Sequence, residues 1–481
     1  MKTTTSQCIR IISIILITIF AFSTVGCSFA PRSTHYDPDY IEQIVNPDRS
    51  LFYDETITIA VQYPWLVQPH AINYMSANPG VRINVVRYSD ADVIRPETDW
   101  QQVRMEIGTQ LMAGSAPTLI DSYLVDPFDP RQAPFFFNWY ELMSADPDFH
   151  EDDWFMNVFH GFSVDSRLLI FPLRINYFPI VANCAIPDLL EVMAEYNDGI
   201  TLSELMQVNR YFSERHPQYY LEQHFSSAWI MQFGDDQFID IETGWIDFGE
   251  EFVNLITYAD SITCPDFTDL WRGSGRGLHG VWNSAAEQVK SERYLFHLDI
   301  NMNFRYFLDF NQDIHLFAGM TPFTNDYREL LVSSTDSFLL NANATVIEKA
   351  IAWDFLMFAM QPENLGQNPA YGHMFYLHPP NRDLFNYLIR EQMFADFGRN
   401  RSGSYTYPWF LGDVYDAIEG ATQLMTGFAE MPMRSTRTYP RIIDDIIDEN
   451  LYLFYAGLLS AEQAAQNIQN RVALVLMEMS R

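Results

Sequence analysis

The sequence predicts an α/β fold built as two lobes, and three observations carry that prediction. Early in the chain, strand-type alternation and four-residue helical spacing take turns, the pattern of an open, largely parallel sheet with helices on its faces. At 481 residues the chain exceeds what a single hydrophobic core serves. With 48% hydrophobic and 15% aromatic residues it carries enough apolar side chain to build two.

Taken in order, Thr56 to Val61 (TITIAV) alternates polar and apolar residues as a strand does, and ends at Tyr63-Pro64-Trp65. A helix from about Gln68 to Ser76 follows and stops at Asn78-Pro79-Gly80; Val81, Ile83 and Val85 then mark a second strand. Val103, Ile107 and Leu111 recur every four residues on one helical face, and Gly114 fits the position just past the helix end. Thr118 to Leu124 reads as the third strand. In sheets of this kind ligands bind beyond the carboxyl ends of the strands. Further on, Thr201-Leu202-Ser203-Glu204 has the form of a capping box, opening a helix that runs to about Phe212. Ser460-Ala461-Glu462-Gln463 repeats the device before a final helix in which Ala465, Ile468 and Val472 keep helical spacing. Trp353, inside the helical run Ile351 to Phe355, is expected in the core, and the second half of the chain reads as mostly helix with short strands.

The first residues have a different character. Lys2 and Arg10 precede an apolar run from Ile11 to Phe22 that only Ser13 and Thr18 interrupt. The run is shorter than the roughly 20 residues a bilayer span needs, but it suits the core of an export signal. Gly26 followed by Cys27 resembles the bacterial lipobox, whose cysteine takes a diacylglycerol and becomes the mature N-terminus. Ser23 stands where that pattern prefers leucine, and Val25 is bulkier than its usual small residue. On this reading residues 1–26 are a lipoprotein signal peptide, Cys27 is the lipidation site, and 27–50 form a polar, proline-bearing tether. An ordinary cleaved signal and an uncleaved anchor are the alternatives. Cys8 leaves with the signal, so only Cys184 and Cys264 remain in the body, as one disulfide or none.

Composition and motifs exclude several functions. Lysine and arginine number 29 against 62 aspartates and glutamates, a net charge of −33, so no cationic face is expected for nucleic acid. Gly275 to Gly280 (GRGLHG) matches a dinucleotide fingerprint in form, but no convincing strand precedes it and no helix opens on its last glycine. There is no phosphate-cradling loop and no nucleophile elbow. His373 and His378 are five apart, which misses the spacing that puts two metal ligands on one helical face. A glycosidase-like carboxylate pair, which needs a separation of about 5 to 9.5 Å, could hide among so many acids. Runs such as Glu151-Asp152-Asp153 are more simply solvated surface. No cofactor, metal or reaction is indicated.

Several segments, in order, resemble the family 1 extracellular solute-binding proteins of ABC importers, whose best-known members bind carbohydrates. They are ANPGVRINVV (77–86), LMAGSAPTLIDSY (111–123), LLIFPLRINYFPIVANCA (168–185), DIETGWIDFGEEFVNLITYA (240–259), GLHGVWNSAAEQVKS (277–291), VIEKAIAWDFLMFAM (346–360) and YAGLLSAEQAAQNIQNRVALVLME (455–478). Thr118 replaces the aspartate usual in the second of these. The resemblance implies a two-lobed periplasmic-binding-protein-like fold hinged by crossing strands. Lobe one would be 51–172 with 322–361, and lobe two 175–320 with 365–481. It implies a monomer, lipid-anchored on the extracytoplasmic face of the cell membrane. That protein would capture a carbohydrate, an oligosaccharide by preference, between its lobes and pass it to a permease without catalysis. The rival readings are a cell-envelope polysaccharide hydrolase and a binder of some non-sugar solute. Sugar rings stack on aromatic faces and their hydroxyls need planar polar partners. The expected contacts are therefore Tyr63 and Trp65 after the first strand and Tyr123 and Asp126 after the third; the resemblance implies three more, Asn176 four residues beyond Pro172, Trp229 in a cleft-facing segment, and Trp282 as a stacking platform.

Overall fold

The computed structural model describes residues 36–88, 100–183, 186–216, 237–241, 243–262, 295–298, 320–365, 378–388, 422–423, 425–436 and 439–479. Along the chain, α1 (Pro38–Val45) precedes β1 (Thr56–Val61). Then α2 (Pro64–Ala77), β2 (Arg82–Arg87), α3 (Trp100–Ala113) and β3 (Leu119–Asp121) complete two strand–helix–strand units. Helices α4 (Trp139–Ala145) and α5 (Met156–Gly161) lead into β4 (Phe171–Tyr177), which runs on through Phe178 into β5 (Pro179–Ala182). Next come α6 (Pro187–Met193), α7 (Leu202–Arg215), the short strands β6 (Ile239–Asp240) and β7 (Trp245–Ile246), α8 (Glu250–Ile262) and β8 (Phe296–Leu298). Strands β9 (Met320–Pro322) and β10 (Leu330–Leu340), helix α9 (Val346–Ala359), strand β11 (Met433–Ser435), and helices α10 (Arg441–Tyr455) and α11 (Ala461–Met479) complete the order.

Two larger sheets organise these elements, and β6 pairs with β7 in a separate two-stranded one. In the first, β2 and β3 flank β1 in parallel, with Ile59 opposite both Val85 and Leu119. Strand β10 then runs antiparallel to β3 through Phe338–Leu340 and to β4 through Ser333–Phe338, and parallel to β11 through Leu330–Val332. The second sheet is antiparallel, with β5 between β8 and β9. Separate cores accompany them. Ala60, Ile107, Leu111, Ile120 and Leu339 cluster at the first sheet, whereas Ile180, Leu205, Phe212, Phe252, Ile256, Ile443 and Ile468 cluster at the second. The fold is thus α/β with two lobes, as the sequence predicts. Between them the chain passes along β4 into β5, along β9 into β10, and from β11 into α10.

Aromatic residues account for much of the first lobe's packing. Trp139 is fully buried, and its indole N–H donates to the carbonyls of Leu169 at 3.0 Å and Phe338 at 3.2 Å. Its ring meets Phe171 at 5.3 Å and Trp353 at 6.1 Å. Trp353, expected in the core, is 2% exposed and donates to Asp146. Rings of this size bury 150–250 Å² each, so a plug of them stabilises the lobe while satisfying its few polar atoms.

Local expectations hold with informative differences. Helix α2 starts at Pro64, earlier than Gln68, because proline is suited to a first helical turn. The third strand ends at Asp121, where the side chain accepts from the Tyr123 N–H and turns the chain into a 3₁₀ turn, Ser122–Leu124. Helix α7 extends to Arg215, and its predicted capping box is complete, Thr201 and Glu204 each bonding the other's backbone. At α11, Ser460 and Gln463 bond reciprocally in the same way. The first sheet is mixed rather than largely parallel, and the second half contains the longest described strand, the 11-residue β10. Strand β10 returns from the second sheet and so enters the first against the direction of β3 and β4. The GRGLHG loop, His373 and all four cysteines lie outside the described residues.

Candidate ligand-binding site

The carboxyl ends of β1 and β3 present three aromatic side chains to solvent. Tyr63 caps α2 and is 40% exposed; Trp65, in the first turn of α2, is 56% exposed; Tyr123, in the turn after β3, is 38% exposed. The rings of Tyr63 and Trp65 are 6.0 Å apart at 48°. Burial first, then the nearby Tyr123 and Asp121, raise the Tyr63 phenol above its ordinary value. Large rings partly exposed at strand ends offer apolar surface on which a ligand can stack.

The same edge reaches the second lobe through Arg441, the first residue of α10. Its guanidinium lies over the Tyr123 ring at 5.0 Å and donates to the Tyr123 carbonyl at 3.2 Å. Its backbone N–H donates to Asp126 Oδ2 at 2.6 Å. Asp126 is 7% exposed, and its Oδ1 accepts from the Phe128 N–H at 3.3 Å. The carboxylate therefore serves α10 as a distant N-terminal cap, satisfying a donor that a helix start leaves free. Of the expected contacts, Asp126 is the one whose oxygens are already occupied by backbone.

Asn176 lies in β4, where the chain crosses between sheets. It is 2% exposed and donates from Nδ2 to Ser333 Oγ at 3.3 Å, while its Oδ1 has no hydrogen-bond partner among the described residues. The neighbouring Tyr177 hydroxyl is likewise buried without one, and burial raises its pKa. Two residues earlier, Arg174 pairs with Asp336 across β4 and β10 at 3.3 Å, with both side chains largely buried. Ser334 donates to the carbonyls of Arg174 and Asp336, and the Ser122 and Ser337 hydroxyls meet at 2.6 Å. A seam of polar side chains thus runs along the crossing strands. Trp229 and Trp282 lie outside the described residues, as does Cys27.

Sequence reasoning missed Asp121, Arg441 and the Arg174–Asp336 pair. Asp121 carried a local signal, an acid closing an apolar strand; the others are brought in by pairings 162 or more residues long, since Arg174 meets Asp336 and Arg441 meets Tyr123, 318 residues away. Elsewhere a cavity of about 680 Å³ lies among α1, α9 and residues 146–154, lined by Asp146, Asp148, Asp153, Asp354 and Trp353. It contains none of the expected contacts, and Asp354 is already bound by Arg49 and Tyr74. Among the described residues no three histidine, cysteine or acidic side chains converge as a metal site, and no helix is long and apolar enough to cross a membrane.

No family model matches the chain, and no curated protein matches it in sequence. Solved structures do match in fold. The sugar-binding protein MalE from Xanthomonas citri superposes with a TM-score of 0.54 at 14% identity, over 88% of this chain and 98% of its own. A family 1 extracellular solute-binding protein from Alicyclobacillus acidocaldarius gives 0.52 at 11% identity, over 88% and 99%. A periplasmic oligogalacturonide-binding protein from Yersinia enterocolitica gives 0.50 at 12% identity, over 89% and 100%. At these identities the likeness establishes the fold, that of two-lobed periplasmic binding proteins.

Proposed function

We propose that this chain is an extracytoplasmic solute-binding protein that captures a carbohydrate, an oligosaccharide by preference, between its two lobes and delivers it to the permease of an ABC importer. The observation that carries the reading is the exposed edge of Tyr63, Trp65 and Tyr123 at the carboxyl ends of parallel strands, where Arg441 links it to the second lobe. Sugars offer apolar C–H faces to such rings, and the neighbouring polar seam supplies partners for hydroxyls. The fold relatives named for sugar and oligogalacturonide binding add support. Asn176 contributes the free Oδ1 of its amide to ligand, and Trp229 and Trp282 complete the site from the second lobe. The lobes divide near 172–175, 320–322 and 361–365; closure around ligand bends the segments that cross between them, driven by the ligand's higher affinity for the closed state. Cys27 carries the lipid that holds the monomer at the membrane surface, and residues 27–50 tether it. No chemistry is performed.

A thermal-shift screen of the purified chain against mono- and oligosaccharides, amino acids and peptides tests this. A true ligand at 100 times its dissociation constant adds about 2.7 kcal/mol of stability. The reading expects a shift with one sugar family and recovery of that sugar intact. A sugar recovered cleaved would point to a hydrolase, and a shift with amino acids or peptides alone to a different cargo.

A further inference from the structure

Asp121 is a buried carboxylate at the centre of the aromatic edge, 7% exposed and not itself placed to stack or to meet a ligand from solvent. Its Oδ2 accepts from the Gln62 N–H at 3.1 Å and its Oδ1 from the Tyr123 N–H at 2.9 Å. Gln62 immediately precedes Tyr63. One side chain therefore ties together the two backbone segments that present Tyr63 and Tyr123.

The chemistry of the tie depends on a proton. An ionised carboxylate only accepts, which matches both N–H groups. A protonated one keeps a single carbonyl acceptor and turns its other oxygen into a donor that faces an N–H, so one of the two ties is lost. The surroundings leave the balance close. Asp336 on β10 adds a like charge, but Arg174 on β4 pairs with it; Arg441 on α10 favours the ionised form. Tyr63, Tyr123 and Arg87 are further titratable groups nearby among the described residues, and His70 on α2 is held neutral by its burial and by Arg174. Burial, partly offset by the two backbone hydrogen bonds, sets the Asp121 carboxyl at about 7.

We infer that Asp121 is the positioning residue of the aromatic edge, and that protonating it loosens Tyr63 and Tyr123 so that ligand affinity falls as the surroundings turn acidic. The inference deepens the capture reading and rests on it, since the affinity in question is that for the carbohydrate.

Two measurements on the full chain test it. The first needs no ligand: the fluorescence of Trp65, taken as wild type minus Trp65→Phe, is followed from pH 5 to 9. It should show one transition near pH 7, and Asp121→Asn, which keeps the shape but fixes the neutral state, should abolish it. The second is the affinity for the sugar that the screen identifies. In the wild type it should fall by up to about tenfold from pH 8 to pH 6, and in Asp121→Asn it should stay flat at the acid-limb value. A merely structural Asp121 would leave the two pH profiles parallel whatever the variant's melting temperature. Parallel profiles, or a wild-type profile without slope, would overturn the inference while leaving sugar capture standing. A fluorescence transition that Asp121→Asn removes, in a chain that binds no sugar, would support the tie and overturn the capture reading instead.

Discussion

Trp65 and Asp126 stand a few residues from the same strand ends, yet the structure gives them opposite circumstances. Trp65 is 56% exposed, with its ring beside that of Tyr63, so Trp65→Ala should lower sugar affinity by about 1–2 kcal/mol and leave the melting temperature nearly unchanged. Titration and thermal melts of the variant separate the two effects. Asp126, with both oxygens engaged by backbone N–H groups, should behave the other way. Asp126→Ala leaves the Arg441 and Phe128 donors unmatched and should destabilise the fold by about 1–3 kcal/mol, read in urea unfolding. An Asp126 that contacts ligand as well would show an affinity loss exceeding that of a simple loosening of α10. From sequence the two residues looked alike, because both follow a strand; what distinguishes them is a helix start 315 residues downstream.

At the scale of elements, the strands with clean alternation and the helices with reciprocal caps were legible, since their signals are local: β1, α7 and α11 appear where periodicity and capping residues place them. Strand β10 was not. Its LLVSSTDSFLL sequence breaks alternation with a polar centre, and that centre is tolerated because Arg174, Ser122 and β4 backbone supply partners from distant segments. The crossing region also depends on one glycine. Gly199 has φ +116°, and a Cβ there would lie 2.4 Å from Thr324 Cγ2, in the link between β9 and β10. Gly199→Ala should cost about 1–3 kcal/mol through backbone strain and displacement of that link, measurable by denaturant unfolding. An unchanged midpoint would show that the turn relaxes freely.

Across the whole molecule, buried titratable groups give stability opposing slopes with pH. Asp121 rises from 3.8 unfolded to about 7 folded, so its contribution is complete below about 3.8 and is lost as pH climbs through 7. Asp448, lifted to about 6 by burial and then by Asp445, acts in the same sense. His70, lowered to about 3 by burial and then by Arg174, contributes above about 6.5 and loses its contribution as pH falls. Asp121→Asn removes the alkaline loss, which for a shift of this size is about 4 kcal/mol, so its melting temperature should exceed the wild type's most at pH 8 and least below pH 5. Stability would then rise in the variant as ligand affinity falls, the trade expected of a residue kept for positioning.

The proposed function requires that carbohydrate be held at the aromatic edge and left intact. Calorimetric titration of the full chain with the sugar found by screening, repeated on the triple variant Tyr63→Ala/Trp65→Ala/Tyr123→Ala, measures it most directly. The expected result is one sugar bound per chain with a negative heat-capacity change, recovery of the sugar uncleaved, and loss of most of that binding in a triple variant that still melts cooperatively. Undiminished binding by the folded triple variant, or a sugar recovered in pieces, would contradict it.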